Sequence, residues 1–373
     1  MKLLIAGGGV AGAAAACLLG PEATLVEREP AAHDKICGEF ISAEAVPYLR
    51  RLGLDLEALG AAPVHAVRLV HGRRVATGRL PFRAYGLSRR VLDETLLRRA
   101  EQRGARVLRG CAVRSLQDGV AEVAGFGRCE AEAVFLATGK HELRGAKRVP
   151  ARPPDDLVGQ KMYFRLDAAQ AAALAGHVEL VLFGGGYAGL QAVENRSANL
   201  CLLLQRDRFV ASGQSWPGVQ ALLEAESAHL ATRLRGASPL LDRPLTIFRV
   251  PYGYVHRPTL ADPANVFRLG DQAGVIPSFC GDGVAIALHT AFAAVNARHE
   301  DAPAYHRRLR RDLGPQIARA GAIASLARAA PSVLVNLARL CPAALGLAAR
   351  LTRIPPDAIS PGQRSNWGEY APG

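Results

Sequence analysis

This sequence has neither a CxxC nor a CxxxxC pair, and its seven cysteines, at 17, 37, 111, 129, 201, 280 and 341, form an odd, irregular set. That pattern argues against a disulfide framework, a local redox dithiol and a cysteine zinc site, and leaves a reducing cytoplasm as the expected compartment. The ten histidines lack metal-ligand spacing, so no metal is expected. There is no GxSxG elbow, and hence no sign of a hydrolase nucleophile on that turn. No apolar run reaches the roughly 20 residues needed to cross a bilayer. Near the N-terminus, Gly7, Gly8 and Gly9 interrupt the apolar stretch where a secretory signal needs a continuous helical core, so residues 2–6 read as a strand. Acidic residues are also in short supply, 33 against 46 basic ones, for a net charge of +13. Such an excess suits nucleotides, acidic substrates or an anionic membrane surface. Nucleic acid is not expected: Arg307-Arg308-Leu309-Arg310-Arg311 has no interleaved aromatics and reads as a solvated helix face.

What is present is a chain of 373 residues, 49% hydrophobic, with room for two domains or one elaborated domain and with no internal repeat. Residues 2–6 enter Gly7-Gly8-Gly9-Val10-Ala11-Gly12, an alanine-rich helix follows, and Ala23 to Glu27 reads as a second strand. Together they make a βαβ unit. Residues 64–80 alternate around a His71-Gly72 turn and predict a hairpin. Val91 to Arg103 predicts a helix with acids in its first turn and Gly104 after its end. Short strands are expected near 105–109, 111–116 and 119–124, and Ala133 to Leu136 reads as a buried parallel strand. The pattern is strand-like from 158 to 205, a single amphipathic helix over 218–235, extended over 245–256, and again a buried strand at Val266 to Leu269. From about 303 the chain reads as helices divided by Pro315, Pro331 and Pro342, with ten Arg against four acids over 301–373. These basic, apolar-striped helices either pack on the body or touch a membrane.

Gly7-x-Gly9-x-x-Gly12 carries the first chemistry. Gly7 permits the tight turn, Gly9 lets backbone approach a pyrophosphate, and Gly12 lets helix and strand pack closely. The helix beginning at Val10 and Ala11 then offers free N–H groups to phosphate. Glu27, twenty residues after Gly7 at a strand end, is placed to accept ribose hydroxyls, and Arg28 follows it. This fingerprint does not separate NAD from FAD.

Three later segments do: His33-Asp34-Lys35-Ile36-Cys37-Gly38, Gly86-Leu87-Ser88-Arg89-Arg90-Val91-Leu92-Asp93, and Gly270-Asp271-Gln272-Ala273-Gly274 continuing through Pro277 to Gly283. In this order they resemble the flavoprotein superfamily of para-hydroxybenzoate hydroxylase, geranylgeranyl reductases and flavin-dependent halogenases, most of all bacterial geranylgeranyl-reductase-like oxidoreductases. The likeness spans residue 1 to about 300. It implies FAD, with Asp271 at the ribityl or pyrophosphate region and Arg89 at the phosphates. By the same resemblance Lys35, Cys37 and Gly38 lie in a loop near the cofactor, Pro277 lies close to the ring, and Gly281-Asp282-Gly283 presents a helix N-terminus, with Val284, to the flavin N1–C2 edge. Gly139 completes the expected contacts.

Two departures matter. Where many aromatic hydroxylases carry an Asp-Gly segment, this chain has Ala137-Thr138-Gly139-Lys140-His141, and the halogenase Trp-x-Trp motif is absent, Trp216 and Trp367 standing alone. A second glycine run, Gly184 to Gly189, resembles another fingerprint, but Glu194-Asn195-Arg196-Ser197 is a turn sequence where a helix would be needed. The expected fold is therefore α/β: a Rossmann-like, glutathione-reductase-like FAD-binding domain (1–60, 88–150 and 262–310), an inserted β-rich substrate domain (61–87 and 151–261), and a helical C-terminal region (311–373). The expected activity is NAD(P)H-dependent monooxygenation of a lipophilic aromatic or polyketide-derived molecule, the rival being reduction of isoprenoid or polyene double bonds. Tyr163, Phe183, Tyr252 and Tyr254 are candidate pocket walls, and His65, His71, His141 and His256 are polar candidates without assigned roles.

Overall fold

Every side chain of the first strand, Leu3–Ala6, is buried, because this strand lies at the centre of a parallel sheet. The computed structural model describes residues 2–150, 156–355 and 358. In that sheet Val266–Arg268, Ala133–Leu136, Leu3–Ala6, Ala23–Glu27 and Arg106–Arg109 run side by side, all parallel. Purely apolar runs at 3–6 and 133–136 are what a sheet covered on both faces requires. Helix Val10–Leu19 lies against it between Arg89–Gln102 and Gly283–Asn296. Ala13 to Ala16 are wholly buried, and their small side chains let three helices share one layer.

A second, mostly antiparallel sheet has nine strands. Its broad face is formed by Leu157–Arg165, Ala198–Gln205, Gly186–Ala192, Gly176–Phe183, Ala62–His71 and Arg74–Gly86, in that spatial order. The glycine run at 184–189 is part of a hairpin: Phe183 pairs with Gly186, and Gly185 turns the chain at φ +77°. The turn before Ala198–Gln205 places Asn195 and Arg196 at φ +56° and +55°, the left-handed pair that a type I′ turn needs.

Several local readings are corrected. The stretch 158–205 contains a helix, Ala168–Leu174, capped by Asp167. The helix expected over 218–235 is two, Trp216–Glu226 and Ala228–Leu234, because the Ser227 hydroxyl accepts from Leu230 N and starts the second. Within 245–256 only Leu245–Phe248 is a strand, and it ends at Arg249, which is left-handed at φ +54°. Pro315 does not divide the tail but lies inside helix Ala302–Ala329, where buried Leu313, Gln316 and Ile317 anchor the turn around it. Pro331 and Pro342 do mark breaks, before Pro331–Leu340 and Ala343–Leu351. The boundary read at Pro150 to Pro154 falls largely outside the described residues, as does the chain end with Trp367.

Candidate functional site

At the fingerprint the glycines act by what they leave out. A Cβ on Gly12 would lie 1.9 Å from the Gly7 carbonyl oxygen, and Gly7 itself is at φ +108°. Both therefore shape the turn and stand off the cavity that begins at Gly9, Val10 and Ala11. Gly9 is the N-cap of its helix and no side chain caps it, so the helix's first N–H groups stay free. Cations close over that end: a Cβ on Gly9 would lie 3.3 Å from Arg89 Nη2 and 3.8 Å from Lys35 Nζ. Asp93 holds both, accepting from Arg89 at 2.7 and 2.8 Å and from Lys35 at 2.8 Å. Burial alone would raise the Asp93 carboxyl, but these two cations hold it below the usual range. An uncapped helix N-terminus beneath two fixed cations is an anion site.

Glu27 is buried, and its oxygens each take a backbone N–H, from Gly8 at 2.6 Å and from Glu29 at 3.0 Å. Each oxygen keeps acceptor capacity toward a small cleft that Lys35 and His33 also line. Arg28 turns outward to Glu29 and His141 and lies off both cavities, because it follows the strand on the exposed side.

A second uncapped helix reaches the same cavity. Helix Gly283–Asn296 starts after Gly281, at φ +73°, and Asp282, its N-cap, makes no capping bond. Asp282 is instead fully buried and drawn away: its carboxylate accepts from Ser42 Oγ at 2.8 Å, from Arg353 Nη1 at 3.0 Å and from Gln316 Nε2. Asp is among the best N-caps, so its diversion leaves the N–H groups at Gly283 and Val284 free on the cavity wall. The Asp282 carboxylate does not line the cavity, and buried Pro277 stands behind its neighbours Ile276 and Ser278, which do. Gly139 and Asp271 lie on the wall between the two helix ends.

The loop carrying Lys35, Cys37 and Gly38 is tied to the second sheet through Glu39. This residue is buried and left-handed at φ +62°. Its carboxylate accepts from Lys161 Nζ and Tyr163 OH at 2.6 Å each, from Asn199 Nδ2 at 2.9 Å and from Arg89 N at 2.7 Å. Lys161 Nζ also donates to the Lys35 carbonyl at 2.9 Å. Nothing in the local pattern around Glu39 or Lys161 signals this hub, since its partners lie up to 160 residues apart.

Beyond Gly283 the cavity continues into an apolar chamber between the second sheet and the tail helices. Leu69, Val178, Leu180 and Leu182 face it from the sheet, Leu334 and Leu345 from the tail. Strand alternation explains why Phe183 is not a wall: it points to the opposite face, packing with Val181 and Leu190. Tyr163 is held in the Glu39 cluster and Tyr254 packs with Val250 and Val275, so of the four aromatics named from sequence only Tyr252 lines the cavity. No histidine lines it among the described residues. His65 lies against His177 with the rings tilted at 54°, His71 Nδ1 pairs with the Leu182 carbonyl, and His256 pairs with Tyr254 OH. The polar groups present are Lys140, Tyr187, Gln191 and the Tyr252–Ser278 pair, hydrogen-bonded at 2.6 Å. Burial pushes the Tyr187 and Tyr252 phenols upward, so they remain protonated donors. Burial opposes charge on Lys140, yet its acidic surroundings, with the Asp271 carboxylate among them, carry it above its ordinary value. Both amide atoms of Gln191 and the Tyr187 hydroxyl are buried without a hydrogen-bond partner.

Residues 1–136 match the family model described as an FAD binding domain. The chain carries an FAD-binding domain. FAD is its cofactor, and by that domain the flavoprotein is an oxidoreductase. No curated protein sequence matches the chain. Among solved structures it is similar to the flavin-dependent brominase Bmp2, at 16% identity over 94% of this chain and 92% of that one, with a TM-score of 0.75. PqsL of P. aeruginosa, solved with 2-aminobenzoylacetate, aligns at 15% identity over 88% and 97%, TM-score 0.71. The myxobacterial chondrochloren halogenase CndH aligns at 20% identity over 83% and 79%, TM-score 0.68. At these identities the likeness is one of fold: a Rossmann-like FAD-binding domain with a β-rich sheet and a helical tail. The geometry fits the cofactor, since two uncapped helix N-termini and Arg89 open on one cavity, and Lys35 lines the small cleft beside it.

Proposed function

We propose that this flavoprotein is a monooxygenase that hydroxylates a lipophilic, aromatic or polyketide-derived small molecule, with NAD(P)H as electron donor and O2 as co-substrate. The observation that carries the reading is the continuity of the cavity from the uncapped helix ends into the apolar chamber. When bound, FAD supplies hydride acceptance and O2 activation. The chain's own part is to hold and exclude. Arg89, Lys35 and the N–H groups after Gly9 take the pyrophosphate, the free lone pairs of Glu27 take ribose, and Asp271 takes the ribityl chain. The N–H groups at Gly283 and Val284 take the ring edge, where negative charge collects on reduction.

For the substrate, the leucine-rich chamber accepts the apolar body. Gln191 takes a group that both donates and accepts, such as a phenol, and Tyr187, four residues away on the same strand, takes a second polar group, because leaving buried polar atoms unpaired costs about 1–3 kcal/mol each. Phenols kept protonated and a lysine kept charged suit hydrogen-bond donation to that group. The fold is shared with halogenases, but the chain lacks their Trp-x-Trp motif.

The test is to supply NADPH or NADH with a panel of lipophilic phenols and polyenes, with and without air and with and without bromide. Hydroxylation predicts O2 uptake matching a product heavier by one oxygen. Product formed without air supports double-bond reduction instead, and product that requires bromide supports halogenation; either result overturns this reading.

A further inference from the structure

The tail helices have two apolar faces. Their inner face is used: Val335 and Ala338 are buried against Leu69, Ala76 and Leu182, and Leu334, Leu345, Ala348 and Ala349 close the chamber. Their outer face is not. Leu326, Val333, Leu337, Leu340, Leu347 and Leu351 are all exposed, Leu340 at 85%. These are six of the twelve large apolar side chains exposed among the described residues, gathered within 26 positions, which marks a patch rather than scatter. Val333, Leu337 and Leu340 recur at helical spacing along one side of Pro331–Leu340, and Leu347 and Leu351 do the same on Ala343–Leu351.

Charge selects what covers the patch. From 313 to 356 the sequence has five arginines and no Asp or Glu. Arg353 is buried on Asp282, whereas Arg319, Arg339 and Arg350 are exposed beside the leucines. A second copy of this chain would bring the same cations against one another. An anionic lipid surface meets both features: headgroup phosphates for the guanidinium groups and the acyl boundary for the leucines. Among the described residues no single helix is long and apolar enough to span a bilayer, and helices Ala302–Ala329 and Pro331–Leu340 meet at 108°, which suits contact with a surface better than one continuous span.

We propose that the outer face of helices Pro331–Leu340 and Ala343–Leu351, with the end of Ala302–Ala329, docks the protein on an anionic lipid bilayer. The leaflet then lies one helix thickness, about 10 Å, from the chamber that the same helices close. The inference stands independently of the chemistry proposed above.

The test uses the FAD-loaded full chain and vesicles of phosphatidylcholine with or without a quarter of phosphatidylglycerol. Cys341 is exposed and next to Leu340, so an environment-sensitive dye on its thiol reports the face without disturbing the fold. Expected are a blue shift of the dye and co-sedimentation with the anionic vesicles, both falling as salt rises. The triple change Leu337→Ser, Leu340→Ser, Leu347→Ser, and separately Arg319→Gln, Arg339→Gln, Arg350→Gln, should each weaken binding at least tenfold, with flavin content unchanged. The proposal is overturned if the unsubstituted protein ignores anionic vesicles and its dye does not shift. It is also overturned if both triple variants bind as before, or if the serine variant only converts a dimer to a monomer.

Discussion

Glu179 shows how a single charged side chain can organise the outer sheet. It is wholly buried in Gly176–Phe183, and Arg68, Arg233 and His229 all donate to it at 2.8–3.2 Å. Burial alone would raise its carboxyl, but His229, Arg233 and Arg68 bring it from 4.5 down to about 2. Because the folded value lies below the unfolded one, its stabilisation is complete above pH 4.5 and is lost as pH falls toward 2. Glu179→Gln leaves the buried Arg233 and the half-buried Arg68 guanidinium groups short of an anion and should cost about 3–5 kcal/mol at neutral pH. Thermal unfolding followed from pH 7 to pH 2 should show the gap between wild type and variant closing only below pH 4.5; a gap constant with pH would refute the charge argument. Sequence gave no hint of this cluster, because its members come from three separate segments and pair only when Gly176–Phe183 lies parallel to Ala62–His71.

Among elements, the two helix N-termini that open on the cavity are the ones proposed to hold the cofactor, and they were legible to different degrees. The one at Gly9 follows from glycine spacing alone, since the reason for each glycine is local. The one at Gly283 was expected from resemblance, with Asp282 counted among the cofactor contacts. In the folded chain that carboxylate faces Arg353, which lies 71 positions later, a distance no local pattern encodes. The pairing makes a prediction about the element. Arg353→Gln removes a cation near the Gly281–Gly283 turn and leaves the Asp282 carboxylate, still held by Ser42 and Gln316, uncompensated beside the place proposed for the flavin ring edge. The flavin midpoint potential should fall by about 30 mV or more, roughly 1.4 kcal/mol for a two-electron couple. Equilibration with reference dyes measures it, and an unchanged or higher potential would contradict the role given to Arg353. The tail was legible as helical but not as a chamber wall, because its striped leucines serve one face or the other according to a sheet far away in sequence.

Taken whole, the molecule is a nucleotide-binding sheet and a β-rich sheet joined through the Glu39 hub, with the tail helices closing the space between them. The parallel sheet was read almost strand for strand, since its apolar runs and glycine turns are local signals. The chamber, its orphaned Gln191 and Tyr187, and Lys161 beneath the loop depend on long-range strand pairing and were not. The central claim is that the helix ends at Gly9 and Gly283 hold opposite ends of one FAD beneath Arg89. The direct measurement is FAD uptake by the purified chain, followed by its visible absorption and by the quenching of free-flavin fluorescence, with Arg89→Ala beside it. The account predicts about one FAD per chain and at least tenfold weaker binding in Arg89→Ala, in keeping with loss of a charge-assisted phosphate contact. A colourless protein that takes up no FAD on reconstitution, or an Arg89→Ala variant that binds FAD as tightly as wild type, would contradict it.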